Sequence, residues 1–116
     1  MNNNQSGKFA EFLARMFLRL KGYHICAANY ITGRGTTAGE IDIIAVRGKT
    51  LIFVEVKKRS TLENAAYAVT PKQQKRLRTA AAGFLASHPR YKDFDIRFDA
   101  VLIVLPFRLT HIPNAF

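Results

Sequence analysis

"GEIDIIAVRGKTLIFVEVKKR", residues 39–59, is the most strand-like stretch of the chain. It is rich in Ile, Val, Leu and Phe. Yet it holds Glu40, Asp42 and Glu55, three of only eight acids in a protein of formal net charge +10. Gly48-Lys49 supplies a two-residue turn, with glycine at the first central position as a type II′ turn requires. That turn pairs Asp42 with Glu55 and Glu40 with Lys57. Strand side chains alternate, so these four share one face and one end, the open end of the hairpin. Ile44, Val46, Leu51 and Phe53 continue that face as apolar core. Ile41, Ile43, Ala45, Ile52, Val54 and Val56 form the other. A hairpin apolar on both faces needs a packing layer on each side.

Directly opposed strand residues have β-carbons about 5 Å apart, and like charges there repel. Asp42 and Glu55 therefore oppose folding unless a shared proton, a lysine or a bound cation lies between them. Lys57 is two residues from Glu55, about 6.7 Å along the strand, and cannot neutralise both acids. Two carboxylates plus a backbone carbonyl form a hard oxygen site suited to Mg²⁺ or Mn²⁺. Spacing alone leaves a second reading equally open. In it Glu40 and Lys57 form a cross-strand charge ladder, and Asp42 accepts hydrogen bonds from loop amides.

The rest of the chain supplies the layers. Phe9, Phe12, Leu13, Met16, Phe17 and Leu20 recur at helical spacing and predict a helix over 7–21, stopped by Gly22, with these residues as its apolar stripe. Residues 24–31 read as a strand, and "TGRGTTAG", 32–39, as a flexible loop. The connection 60–69 has no assignment. In "TPKQQKRL" Thr70 is the N-cap, Pro71 takes the first helical position, and Gln73 completes a capping box. This second helix runs to Ser87, with Leu77, Ala80, Ala81, Phe84 and Leu85 on its apolar face. Residues 96–105 read as a strand whose second half is buried, and 108–112 as a short final strand. The order α-β-β-β-α-β-β gives an α/β fold: a mixed central sheet with a helix on each face.

The 116 residues are read as one domain, 1–116, with 1–7 disordered. Eighteen Lys and Arg give a sequence pI near 10.3 and favour a polyanionic partner, nucleic acid before membrane. Cys26 is the only cysteine, which rules out an internal disulfide and fits a reducing cytoplasm. The polar start lacks the apolar core of a signal peptide, and no apolar run approaches the ~20 residues of a membrane span. His24, His88 and His111 have no partners at zinc-ligand spacing.

Asp42, followed by Glu55-Val56-Lys57, resembles the "D…ExK" signature of the PD-(D/E)XK nuclease superfamily. The likeness is wider than that motif. Ala10-Glu11 with Ala14, Gly22-Tyr23, "GEID" at 39–42, "FVEVKKRS" at 53–60, "AVTPKQQKRL" at 68–77, "RFDAV" at 97–101 and the closing "NAF" are similar to the YraN family, an uncharacterised bacterial family related to archaeal Holliday-junction resolvases. The resemblance implies a restriction-endonuclease-like fold and a Mg²⁺- or Mn²⁺-dependent, structure-selective endonuclease acting on DNA, branched DNA included. It implies Asp42 and Glu55 as metal-binding acids, the Val56 carbonyl as a third ligand, and Lys57 as the group that orients or activates water. Glu11 is similar to a helical glutamate that joins such sites, and Gln74 to the glutamine of the second helix. Two departures stand out: Ile41 occupies the place of the superfamily's proline, and the loop before the site is long. The bland alternatives are an i,i+4 pair of Glu11 with Arg15 and a partly buried capping role for Gln74.

Lys58, Arg59, Lys72, Lys75, Arg76 and Arg78 are placed to hold backbone phosphates, which gives position and no base readout. A nuclease this small is expected to grip a duplex as a homodimer. No membrane partner is expected. The alternative function is a non-catalytic nucleic-acid-binding module on a nuclease fold. Asp99 in "RFDAV" reads as structural, bridging backbone amides near a strand start, and neither it nor Glu40 is given a part in the chemistry.

Overall fold

The computed structural model describes residues 3–32, 39–59, 70–104 and 108–116. The elements are α1 (Asn3–Leu20), β1 (His24–Thr32), β2 (Gly39–Arg47), β3 (Thr50–Arg59), α2 (Pro71–Ser87), a 3-10 turn at Pro89–Tyr91, β4 (Asp95–Val104) and β5 (Arg108–Ile112). The expected order holds. The stretches 33–38 and 60–69, expected as a loop and left unassigned, lie outside the described residues, but Thr32 and Gly39 belong to strands. α1 begins at Asn3, four residues before the expected Gly7.

The hairpin register follows the two-residue turn. β2 and β3 pair antiparallel from Arg47↔Thr50 to Ile43↔Val54, and Gly48 takes φ +60°. The five strands lie in chain order, β1-β2-β3-β4-β5. All neighbours are antiparallel except β3 and β4, which run parallel from Thr50↔Asp95 to Arg59↔Val104. A parallel pair needs a crossover over one face, and α2 lies on that crossover.

α1 covers one face: Ala10, Ala14 and Leu18 pack with Ile43, Ala45, Ile52, Val54, Val101 and Ile103. α2 covers the other: Leu77, Ala80, Ala81 and Phe84 meet Ile44, Leu51 and Phe53. Phe84 lies edge-on to Phe53, with ring centroids 5.9 Å apart. The α2 capping box is formed: Gln73 N–H donates to Thr70 Oγ1 at 3.2 Å, and Thr70 N–H to Gln73 Oε1 at 3.1 Å.

Two expectations need correction. Ile41 packs with the α2 cluster and not beside Ile43. Strict alternation fails at Asp42, where neither Asp42 nor Asn29 appears in the β1–β2 pairing, and Asn29 takes φ +54°. The second correction concerns α1. Its large apolar residues are not its buried stripe: Phe9, Phe12, Met16 and Leu20 are 41%, 46%, 40% and 84% exposed. Small residues bring a helix axis closer to its neighbour, so the alanine side faces the sheet.

Gly39 fixes how closely α2 approaches. A β-carbon there would come within 2.7 Å of the Ala80 nitrogen and the Arg76 carbonyl oxygen. Both are backbone atoms of a helix and cannot swing aside. Gly39→Ala is expected to cost about 1–3 kcal/mol, the usual scale of overpacking, and to lower the melting temperature.

Candidate active site

The carboxylates gather where β2 and β3 separate. The ladder stops at Ile43↔Val54, so Asp42 and Glu55 come next in register without pairing. Asp42 Oδ2 instead accepts the Val56 backbone N–H at 2.8 Å. The carboxylate takes the place of a ladder acceptor and is held facing β3. Glu55 Oε1 meets Lys57 Nζ at 3.1 Å, and both side chains are largely buried. Lys57 thus pairs with Glu55, one position apart on the same strand face. The charge ladder between Glu40 and Lys57 is not formed among these contacts.

An open cleft of about 190 Å³ lies over these groups, lined by Glu40, Asp42, Glu55, Gln73, Arg76 and Leu77. β2 and β3 provide its acids, and the first two turns of α2 its wall. Burial, then the charge of Glu55, push the Asp42 carboxyl up to about 7, although the Val56 N–H pulls the other way. Burial also raises Glu55, opposed by the charge and hydrogen bond of Lys57. Glu11 reaches this environment from α1. Burial raises its pKa against the pull of Arg15, and Glu40 and Glu55 add their charges. Arg15 and the acids of β2 and β3 both act on Glu11, which is not among the residues that line the cleft.

Gln73 and Arg76 line the cleft, and Gln74, one residue out of phase, is not among the lining residues. Gln73 doubles as the capping glutamine. Of the expected phosphate-binding residues, Arg76 belongs to the cleft itself. Lys72, Lys75 and Arg78 are exposed on α2, and Arg78 lies over the Phe98 ring at 5.3 Å. Lys58 is half-buried on β3, next to Lys57 in the chain. The Arg59 side chain lies outside the described part.

Among the described residues, no three His, Cys, Asp or Glu side chains come together closely enough to bind a metal ion. Of the expected metal ligands, Asp42 and Glu55 line the cleft together. A pair of carboxylates both raised by burial, with the charge of Glu55 raising Asp42 further, is of the chemistry a hard divalent cation takes, because its charge removes the repulsion.

The same repulsion predicts a stability effect. An acid whose folded pKa of about 7 stands above its ordinary 3.8 stabilises the fold in acid and loses that contribution as pH rises through the higher value. In EDTA near pH 8, Asp42→Asn and Glu55→Gln are expected to match the wild type or exceed it by roughly 0.2–1 kcal/mol. Asparagine keeps the acceptor for the Val56 N–H. The advantage should vanish near pH 4, where the wild-type acids are protonated. Melts at both pH values check this, and a clear loss at pH 8 would make the acids structural acceptors.

Sequence reasoning passed over a second polar cluster. Asp99, fully buried on β4, binds Arg97 Nε and Nη2 at 2.8 Å each, His111 Nε2 at 2.8 Å and the Asn114 backbone N–H at 2.9 Å. Arg97 also donates to Tyr23 Oη at 2.7 Å, and Lys21 Nζ contacts His111 Nδ1. Burial alone would raise the Asp99 pKa, but the bonds from His111, Arg97 and Asn114 hold it at about 2. The cluster lies under the C-terminal end of α1 and joins β1, β4, β5 and the chain end.

The sequence pattern of a family described as "Uncharacterised protein family UPF0102" matches residues 10–103. A UPF0102 protein of Paramagnetospirillum magneticum is 51% identical over 110 residues, covering 94% of this chain and 84% of the relative. One of Bradyrhizobium diazoefficiens is 47% identical over 112 residues, covering 97% and 81%. One of Rhodopseudomonas palustris is 48% identical over 113 residues, covering 97% and 84%.

Proposed function

The chain belongs to the UPF0102 family, whose name states no activity, and from the site itself we propose a metal-dependent nuclease that hydrolyses DNA phosphodiesters with selectivity for structure, in the manner of Holliday-junction resolvases. One observation carries this reading. Asp42 and Glu55 are held as a half-buried, mutually repelling carboxylate pair beside Lys57, in an open cleft with Arg76 on its far wall.

A cation on Asp42 and Glu55 would polarise a phosphate oxygen and lower the pKa of a bound water. The Val56 N–H fixes Asp42, and the pairing with Glu55 holds the Lys57 ammonium next to that cleft acid. From there Lys57 can hold the attacking water or stabilise charge growing on phosphorus. Arg76 reaches the cleft from α2 and can hold a phosphate, while Lys72, Lys75 and Arg78 meet the neighbouring backbone. Every one of these contacts is to phosphate, which leaves shape as the source of selectivity.

A second reading draws on the absence of a three-acid cluster among the described residues. On it the fold binds nucleic acid without cutting. Labelled branched and linear DNA incubated with Mg²⁺, Mn²⁺ or EDTA separates the two. Cutting that needs metal supports the nuclease, and no cutting of any substrate moves the assignment to the binding module. Both require DNA affinity set by salt. With about four to six phosphate contacts, log K against log[salt] should slope near −4 to −5. A flat dependence would remove nucleic acid as the partner.

A further inference from the structure

α1 carries chemistry that the cleft does not use. Successive helical residues turn about 100°. Passing round α1 away from the sheet, Glu11 comes first, at the edge of the buried side and under the influence of Glu40 and Glu55. Arg15, Lys8 and Arg19 follow within one further quarter turn. Phe12 comes next, about 100° from Glu11, and then Met16 and Phe9. Phe12 is 46% and Phe9 41% exposed. Lys8 and Arg19 are exposed, and Arg19 Nη1 rests on Met16 Sδ at 3.7 Å. One helix therefore presents an acid, Glu11, a row of three cations and an exposed aromatic platform, in that order.

From this juxtaposition we infer that the outer face of α1 binds unstacked, single-stranded nucleic acid, with a base stacked on Phe12 and phosphates on Lys8, Arg15 and Arg19. The inference rests on the nucleic-acid side of the reading above and makes its substrate class specific: DNA with a single-stranded flap or a splayed branch. An aromatic face beside cations takes any base, because every base has a π-face and every link a phosphate.

The charge distribution selects this occupant over two others. A helix lying on a lipid surface carries its polar face opposite its apolar one, whereas the face of α1 opposite Phe12 and Met16 is the alanine side buried on the sheet. The cations form only one flank, the flank toward the cleft. A second copy of this chain would bring the same flank of Lys8, Arg15 and Arg19 against itself, in a protein already at net charge +10, and like charges facing across an interface suppress pairing.

The chain has no tryptophan, so Phe12→Trp creates a single reporter. In EDTA, so that nothing is cut, oligo(dT) of about 12 nucleotides, within the range one platform can hold, is expected to quench it, while inorganic polyphosphate at equal charge leaves it unchanged. By fluorescence anisotropy, Phe12→Ala should bind the same oligonucleotide about tenfold more weakly, the scale of one lost stacked base. Phe12→Tyr should bind it as the wild type does. Equal quenching by polyphosphate, or unchanged affinity in Phe12→Ala, would overturn the inference. So would a stronger response to phosphatidylglycerol vesicles, or a reporter signal that rises with protein concentration alone. The hydrolytic reading fails separately. Quenching with no metal-dependent cutting keeps the platform and removes the nuclease; cutting without quenching does the reverse.

Discussion

Lys57→Ala is expected to cut DNA at least ~100-fold more slowly than the wild type in single-turnover reactions, the usual scale for one lost charge-stabilising or proton-transfer group. Saturating protein removes binding from the comparison. The expectation follows from geometry. Lys57 Nζ lies 3.1 Å from Glu55 Oε1, largely buried beside one of the acids that line the cleft. Lys57→Arg should not restore the rate fully, because a planar guanidinium cannot replace a compact ammonium at a water site. A lysine serving only to neutralise Glu55 predicts something else: a small stability loss and unchanged cutting. Wild-type rates in Lys57→Ala would end its proposed role.

The largest stability loss is expected at Asp99. Asp99→Ala leaves His111 buried and Arg97 partly buried, without the carboxylate that both contact. Breaking a buried ion pair by removing one partner costs about 3–5 kcal/mol. Urea denaturation at neutral pH measures it. The pH dependence has a definite sign. A carboxyl held at about 2 against an ordinary 3.8 contributes fully above the unfolded value and loses that contribution as pH falls through the folded one. The wild type should therefore weaken steeply between about pH 4 and pH 2, and the variant less steeply. Equal slopes would mean that Asp99 is not the group that titrates.

Local chemistry made part of this molecule readable in advance. The turn at Gly48-Lys49 has one good geometry, and it sets the hairpin register through to Ile43↔Val54. Thr70, Pro71 and Gln73 each favour the same helix start, and α2 begins there. What escaped depends on contacts between distant segments. Hydrophobicity marks Phe9, Phe12 and Met16 for the core, but the close approach of α1 to the sheet selects Ala10 and Ala14. Nothing in the β2 sequence announces the break in alternation at Asp42, beyond which Ile41 packs with the α2 cluster. Gln74 and Gln73 are equivalent in composition, and only the phase of α2 over the sheet separates them. The Asp99 cluster draws on Lys21, Tyr23, Arg97, His111 and Asn114, which no spacing rule connects.

β3 is the middle strand, hydrogen-bonded to β2 on one side and to β4 on the other. From Thr50 to Val54, where it is paired on both sides, its amides exchange with solvent only when the sheet opens; beyond Val54 the pairing to β4 continues. Glu55, Val56 and Lys57 stand on that strand. α2, the opposite wall, is not part of the strand ladder and can open at a lower free energy. Motion that admits a bulky polyanion thus falls to the helix, carrying Arg76 with it, while the acids and the lysine keep their positions from one binding event to the next.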